Sequence, residues 1–256
     1  MNDSFDDHFS DDRKSIYRNR IYLHYVNSRS EALAPTSLNG LQPRIPYLKR
    51  LIRDHFPADH NAAIVDLGCG HGALMHVARQ AGYCNIFGID RSSEQVASAR
   101  SLGIDGVREG DLTEAISTMP AESSDVVITF DVIEHFRKDE LIDFVDQVYR
   151  VLRSGGSWII HIPNAESPFG ARIRYSDFTH EGAFTRVSIR QLLLSSRFVR
   201  VDCYEDTPVP HGIKSSIRWV LWKVIRGLLR LWLAIECGES GRDAIFSQNL
   251  LSVAVK

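Results

Sequence analysis

The sequence predicts an α/β protein built on an open, mostly parallel sheet, and three observations predict it. Ala62 to Val65 is an apolar run of the kind that a parallel strand buried on both faces requires. Asp66 closes that run, and Gly68, Gly70 and Gly72 then turn the chain toward a helix starting near Ala73. Beyond it, short apolar runs alternate with helix-period stretches as far as Ile162, the pattern of repeated βαβ units. The 256 residues are enough for one sizeable α/β domain with decorations, or for two small ones. With 44% hydrophobic and 24% charged residues, the composition is that of an ordinary soluble globular protein. A net charge of −2 supplies no global positive field to draw nucleic acid.

The glycine turn is the first candidate site. Glycine lets the backbone bend sharply and approach a ligand without a Cβ in the way, and the helix start beyond it offers unpaired N–H groups to an anion. Gly68-x-Gly70-x-x-Ala73 also fits the dinucleotide fingerprint, so spacing alone does not choose the ligand. Charge does. A pyrophosphate would be repelled by the carboxylate of Asp66, whereas S-adenosylmethionine brings an ammonium and a sulfonium for the acid and a carboxylate for the loop amides. Asp66 therefore favours S-adenosylmethionine. Cys69, inside the turn, reads as a small filler or as a reactive thiol.

Upstream, residues 1–13 are rich in Asp and Ser and predict a disordered or frayed terminus. Ile16, Tyr17, Ile21, Tyr22 and Tyr25 fit one face of a helix over 14–27. Pro46 sits early in a second helix, Tyr47 to about Phe56, where its missing N–H costs little. This extension could lid the cofactor or shape the acceptor pocket, or it could pack against the outside of the sheet. No signal peptide or apolar run of membrane-spanning length is recognisable. Cys69, Cys84, Cys203 and Cys237 show no disulfide or metal-type spacing, so a reducing cytoplasm and no metal site are expected.

Downstream, Leu74 to Ala81 reads as the first crossover helix and Asn85 to Ile89 as the second strand, ending at Asp90. Asp90 follows Gly72 at about the separation, roughly 20 residues, at which a βαβ unit places an acid near ribose hydroxyls; a helix cap is the alternative. Ser93 to Ser101 is the next helix, capped by Ser92 or Ser93. Gly106 to Arg108 is a short third strand, followed by Asp111, an acceptor suited to an adenine amino group. Asp125 to Phe130 is the fourth strand, and the segment from Asp131 to Phe136 lies beyond its carboxyl end, where open α/β sheets bind ligands. Leu141, Phe144, Val145, Val148 and Leu152 form one helical stripe that Gly155 and Gly156 should stop. Ser157 to Ile162 is the fifth strand, Ser188 to Ser195 a helix, and Arg200 to Tyr204 the sixth strand.

Asp66-Leu-Gly-Cys-Gly-His-Gly72, Gly88-Ile-Asp90, Gly110-Asp111, Asp125-Val-Val to His135, and Leu152-Arg-Ser-Gly155-Gly156 come in the order and spacing of the class I S-adenosylmethionine-dependent methyltransferases. The chain resembles that family, in its type 11 and type 23 groups, over about residues 60–206 and again over 249–256. The resemblance implies a Rossmann-like, seven-stranded, mostly parallel sheet whose last strand, Leu250 to Ala254, inserts antiparallel. It implies that Asp66, Gly68, Gly70 and Gly72 hold the methionine end, that Asp90 holds the ribose, with Arg91 beside it in the cofactor set, and that Asp111 and Leu112 hold the adenine. Phe130 and Asp131 would border the methyl group. Asp131-Val-Ile-Glu-His135 is similar to the segment in ubiquinone-type O-methyltransferases, in which the matching histidine is a plausible general base; His135 could instead only buttress the loop. The Asp/Asn-Pro-Pro-Tyr signature of many nucleic-acid and amide N-methylases is absent from this segment.

The acceptor side falls on residues 163–185, a long connection without clean periodicity. It carries Arg172 and Arg174, able to grip a phosphate or carboxylate or simply to form a solvated face, and His180, a second base candidate. An insertion over 206–247 reads, from Ser215 to Ile235, as one amphipathic helix. Lys214, Arg218, Lys223, Arg226 and Arg230 are spaced as one basic face opposite Ile217, Val220, Leu221, Val224, Ile225, Leu228, Leu231, Trp232 and Ile235. Such a helix suits a membrane surface or a partner, with a dimer interface or a cover for the chain's own core as the bland alternatives. The expected organisation is a helical extension over 1–58, a cofactor-binding core over 59–206, the insertion over 207–247 and the last strand over 248–256. Loop, insertion and last strand are together similar to bacterial methyltransferases of cell-surface glycan and lipid-linked sugar synthesis. That implies O-methylation of a saccharide or lipid-linked glycan hydroxyl in the cytoplasm, at the inner face of the membrane through residues 214–235, without a nucleic-acid partner. Methylation of a quinone or phenolic natural product, and a non-catalytic cofactor-binding scaffold, are the competing expectations.

Overall fold

A computed structural model describes residues 20–22, 26, 35–238 and 241–256. The expected terminus over 1–13 and most of the expected helix over 14–27 lie outside the described residues. A 3-10 turn, Leu38–Leu41, leads into helix α1, Ile45–His55, which carries Pro46 in its first turn. Three units of strand and helix follow: β1, Ile64–Leu67, and α2, Ala73–Gln80; β2, Ile86–Asp90, and α3, Ser93–Ser101; β3, Val107–Glu109, and α4, Leu112–Thr118. Then come β4, Ser124–Phe130, a 3-10 turn at Ile133–His135, α5, Lys138–Val151, and β5, Leu152–Pro163. After α6, Gly170–Arg174, and α7, Arg186–Ser195, the chain forms β6, Arg200–Glu205, the long helix α8, Ile213–Cys237, and β7, Asn249–Val255.

The seven strands form one sheet in the order β3-β2-β1-β4-β5-β7-β6. β1 to β5 pair in parallel, and β7 runs antiparallel between β5 and β6. Strand alternation divides the core between the two faces. Val65, Leu67, Val127, Trp158 and Ile160 face the apolar stripe of α5, which presents Phe144, Val145 and Val148, and face Ile189 and Leu193 of α7. Ile64, Val126, Ile128 and Ile159 face Met75, Val77 and Ala78 of α2 and Leu48, Leu51 and Ile52 of α1. The strand order reverses at β1 and β4, which are neighbours in the sheet but lead to opposite edges, so the connections beyond their carboxyl ends diverge and leave a crevice.

The structure departs from the sequence reading, or adds to it, at three local points. α4 was not anticipated, because only Leu112 and Ile116 carry apolar signal in its polar sequence. Gly155 and Gly156 do not stop α5; the helix ends at Val151 and β5 begins at once, with a register irregularity between Ser124 and Val126 of the neighbouring strand. A Cβ on Gly156 would lie 2.9 Å from the Arg153 carbonyl oxygen and 3.0 Å from that of Asp125, so glycine is needed there for the strands to approach. Third, α1 lays three leucine and isoleucine side chains on the sheet, and its neighbours Arg44 and Tyr22 reach the crevice; packing and pocket-shaping, set out as alternatives, are combined.

Phe144 is fully buried, stacked on Phe136 at 4.6 Å and edge-on to Trp158 at 6.1 Å. Phe144→Ala should cost about 3–5 kcal/mol in urea unfolding, whereas Ile142→Ala, on the solvent side of the same helix, should stay within about 0.5 kcal/mol.

Candidate active site

A cavity of about 640 Å³ opens at the crevice, within the size range of small-ligand pockets. Its floor is the glycine turn after β1. The amides of Gly68 and Cys69 donate to the Ile89 carbonyl oxygen at 2.8 and 3.1 Å, tying the turn to β2. Gly68 has φ +79°, and a Cβ there would lie 2.3 Å from the Val132 side chain, so two independent constraints demand glycine. Gly70, φ +55°, donates its amide to Asp90 Oδ2 at 2.7 Å. Gly72 departs from expectation. It caps α2 with its Cβ position 2.8 Å from Ile104, facing the core, and does not line the cavity.

Asp66 is 2% exposed, and among the described residues its Oδ1 has no hydrogen-bond partner. Burial, then the charge of Asp90, push its carboxyl up to about 7 against the weaker pull of Arg44. A buried acid without a donor is stabilised by a cation delivered from the cavity, and the ammonium of S-adenosylmethionine fits that need. Asp90 is otherwise satisfied. It accepts from the Gly70 amide and, through Oδ1, from the Ser92 amide at 2.9 Å, while burial holds its carboxyl above the usual range. Each oxygen keeps a lone pair for a hydroxyl donor.

The adenine side is more committed than expected. Asp111 Oδ1 accepts from the amides of Thr113 and Glu114, capping α4, and its Oδ2 lies 3.3 Å from Arg91 Nη1. Arg91 in turn stands 5.5 Å from the ring centre of Tyr22. Both residues, with Leu112, sit on the cavity wall. Phe130 stacks on His161 at 4.5 Å and 11°. His161 Nδ1 lies 2.8 Å from Asp131 Oδ1, and its Nε2 lies 3.5 Å from Asp206 Oδ2. Burial opposes the imidazolium, but the two carboxylates overcome it and raise His161 to about 10. Asp131 turns the chain out of β4 with φ +54°, a strained backbone for a residue with a Cβ.

Beyond Asp131 the cavity ends in Glu134, His135 and His180. Glu134 is fully buried and neither carboxylate oxygen has a hydrogen-bond partner among the described residues. Its backbone carbonyl accepts from the amides of Glu181 and Gly182 at 2.7 and 3.1 Å, which clamps the 176–182 loop against the turn after β4. That clamp brings the His180 ring to 4.7 Å from the His135 ring. Burial, then the neighbouring His180, lower His135 to about 4, and burial lowers His180 as well. Arg172 and Arg174 do not line this cavity; Arg172 is exposed, and Arg174 lies 5.2 Å from the ring centre of Tyr175. Cys69 is inert as a nucleophile, its thiol pushed far up by burial and by the charges of Asp66 and Asp90.

Residues 65–160 match the family model described as a methyltransferase domain. A probable S-adenosylmethionine-dependent methyltransferase of Mycolicibacterium smegmatis is 35% identical over 107 residues, covering 40% of this chain and 38% of that protein. The chain thus spans well under half the length of the curated relative it matches. The fold is similar to that of a SAM-dependent methyltransferase from Archaeoglobus fulgidus, with TM-score 0.61 and 17% identity over 86% of this chain and 100% of that one. It is also similar to phosphoethanolamine N-methyltransferase 2 of Haemonchus contortus, solved with S-adenosyl-L-methionine, with TM-score 0.54 and 17% identity over 92% of this chain and 56% of that one. Residues 65–160 thus carry a methyltransferase domain, on a fold similar to that of S-adenosylmethionine-dependent methyltransferases. The family match and the curated relative both support an enzyme domain that uses S-adenosylmethionine as its cofactor.

Within this methyltransferase domain, the cavity gathers Asp66, Gly68, Gly70, Asp90, Arg91, Asp111, Leu112, Phe130, Asp131, His135 and His180, and leaves out Gly72. It adds residues that the sequence pattern did not assign to the site. Tyr22, Arg44 and Gln95 come from segments with no motif of their own. Glu134 was visible as an acid just beyond the fourth strand, one position before His135, but not its burial.

Asp66 sets a testable pH dependence. Its folded value near 7 lies above the unfolded value of about 3.9, so its contribution to stability is full below about pH 4 and is lost as pH rises through 7. Wild type should therefore lose stability relative to Asp66→Asn over that interval. Affinity for S-adenosylmethionine, whose ammonium needs the ionised acid, should rise through the same window in wild type and stay flat in Asp66→Asn. Parallel calorimetric profiles of the two proteins would remove Asp66 from the cofactor site.

Proposed function

We propose that this chain transfers a methyl group from S-adenosylmethionine to a hydroxyl of a saccharide or similar polyol, carried on a lipid. The observation that supports methyl transfer is the buried carboxylate of Asp66, whose Oδ1 has no hydrogen-bond partner among the described residues, beside a turn that only glycine can make. S-adenosylmethionine supplies an activated methyl on a sulfonium when bound. On this reading Asp66 receives the ammonium, Asp90 the ribose hydroxyls, and Phe130 with Asp131 flank the reacting centre. The acceptor end favours a hydroxylated ligand over a quinone. Glu134, His135, Ser176 and His180 put polar atoms there, and the imidazoles stay neutral near pH 7, able to accept from a hydroxyl.

Helix α8 supports the lipid part. It contains no acidic residue before Glu236 and buries no side chain. Its outward face is a continuous apolar strip that includes Ile217 at 56%, Leu221 at 58%, Leu228 at 62% and Trp232 at 63% exposure. Lys214, Arg218 and Lys223 border that strip and suit anionic headgroups. Arg226 and Arg230, expected on the same basic face, pair instead with Glu205 of β6 at 3.1 and 3.7 Å and hold the helix to the sheet edge. The basic face is therefore split between docking and display. Among the described residues no helix is long and apolar enough to cross a membrane, so contact would be parallel to a surface.

The acceptor class is tested by incubating purified chain with labelled cofactor and, in parallel, nucleotide sugars, a lipid-linked glycan fraction and reduced quinones. Label in the sugar-containing samples is expected; label only in the quinols would overturn this reading. Asp90→Ala should weaken binding of S-adenosylhomocysteine about tenfold or more, the worth of one charged hydrogen bond. Unchanged affinity would refute the ribose role. Sedimentation with phosphatidylglycerol vesicles should be strong for the parent and lost in Leu221→Glu/Leu228→Glu. These substitutions fall on solvent-exposed positions and leave the Glu205 pairs in place.

A further inference from the structure

We propose that Glu134, His135 and His180 form a binding site for one divalent first-row metal ion, open toward the cavity on the acceptor side. One ligand atom from each of the three residues lies within 4.8 Å of the others, and His180 Nε2 stands 3.9 Å from Glu134 Oε1. Ligands about 2.1 Å from a zinc ion sit roughly 3–3.5 Å from one another, so a small contraction closes the set.

The surroundings of each ligand are those of a prepared site. Thr179 Oγ1 donates to Asp177 Oδ1 at 2.6 Å, so it must accept from His135 Nδ1, 2.8 Å away. His180 Nδ1 faces the Ile173 carbonyl oxygen at 3.2 Å and must likewise donate. Both rings are thereby fixed in the tautomer that leaves Nε2 with its lone pair, the outer-shell arrangement that orients metal-ligating histidines. Glu134 adds the second, independent sign. A fully buried carboxylate with neither oxygen hydrogen-bonded is costly unless a cation meets it. His135 follows Glu134 directly on the turn after β4, while His180 arrives from the 176–182 loop, held by the Glu181 and Gly182 amides on the Glu134 carbonyl.

Two imidazoles and one carboxylate suit zinc, manganese, cobalt or iron(II) better than magnesium or calcium, which prefer oxygen ligands. Three protein ligands leave positions for an outside ligand. Taking the methyl-transfer reading as given, that ligand is an oxygen of the acceptor, and a pair of adjacent hydroxyls could chelate the ion. The site would then do for the acceptor what the glycine turn does for the cofactor, namely fix its position before reaction.

The full chain, stripped with a chelator, would be dialysed against Co²⁺, Zn²⁺, Mn²⁺ or Mg²⁺ and its metal content measured. About one Co²⁺ or Zn²⁺ per chain, held in preference to Mg²⁺, is expected. Glu134→Gln and His180→Ala should each weaken retention at least tenfold, and His211→Ala, at an exposed histidine, should not. No retained ion, or equal retention in every variant, would overturn the proposal. If a variant fails to fold, the cobalt spectrum of the parent decides: visible bands without thiolate charge transfer support the site, and a sulfur band would refute it. Binding of S-adenosylhomocysteine should remain within twofold in both ligand variants. Its absence from the parent would strike the methyl-transfer reading and leave the metal site standing; cofactor binding without metal would do the reverse.

Discussion

The molecule is organised around a carboxylate buried at the end of a parallel strand, one oxygen of which has no hydrogen-bond donor among the described residues. Asp66 stands next to β2 and β4, under a turn that presses against Val132 and Ile89. An acid there weakens the fold at neutral pH, because burial and Asp90 both oppose its ionisation. Its retention is intelligible only if the charge is answered by a ligand. The same turn leaves no room for a side chain at Gly68, and Gly70 must offer its amide to Asp90. The buried acid, the wall of the cavity and the strand connection are therefore one structural element, and none can be altered alone.

The far end of the cavity repeats that arrangement with different chemistry. Glu134 is another buried carboxylate lacking a hydrogen-bond donor among the described residues. Between the two acids lies Asp131, whose carboxylate is answered by the His161 imidazolium. Of three carboxylates along one wall, the middle one has its cation within the protein and the outer two face the cavity. A wall of this kind favours occupants that bring positive charge to both ends. It also explains the stack of Phe130 on His161, since a charged ring held by Asp131 and Asp206 fixes the aromatic surface between the two ends.

Much of this was legible in residue order. Apolar runs ending in Asp66 and Asp90 marked strands whose tips face one crevice, because a parallel strand buried on both faces must be continuous in apolar residues and its polar residues gather at the ends. Local signal failed where structure is decided by distant partners. α4 hides in Thr-Glu-Ala-Ile-Ser-Thr because only Ile116 of that stretch is buried, with Ala115 packed partly against the core. Gly72 looked equivalent to Gly68 and Gly70, yet the spacing of three glycines does not say which side of the turn each will face, and Ile104 lies behind this one. His180 is remote from His135 in the chain, and its approach depends on backbone hydrogen bonds that no spacing rule encodes.

Helix α8 shows the same limit most clearly. Periodicity predicted a helix with one basic and one apolar face, and the ordinary inference is that the apolar face packs inward. Glu205 reverses it. That carboxylate, about 10% exposed at the end of the edge strand β6, accepts one hydrogen bond from the Phe246 amide but has its charge answered by Arg226 and Arg230, so the helix turns its arginines toward the sheet. The Arg226 guanidinium stands 4.9 Å from the ring centre of Trp222, a cation–π contact that adds to the pair. Once two arginines are committed inward, helical geometry leaves the leucine and isoleucine strip pointing away from the protein. The exposed apolar surface is thus the consequence of satisfying one acid on the sheet edge, and it lies on the helix that joins β6 to the antiparallel strand β7 completing the sheet.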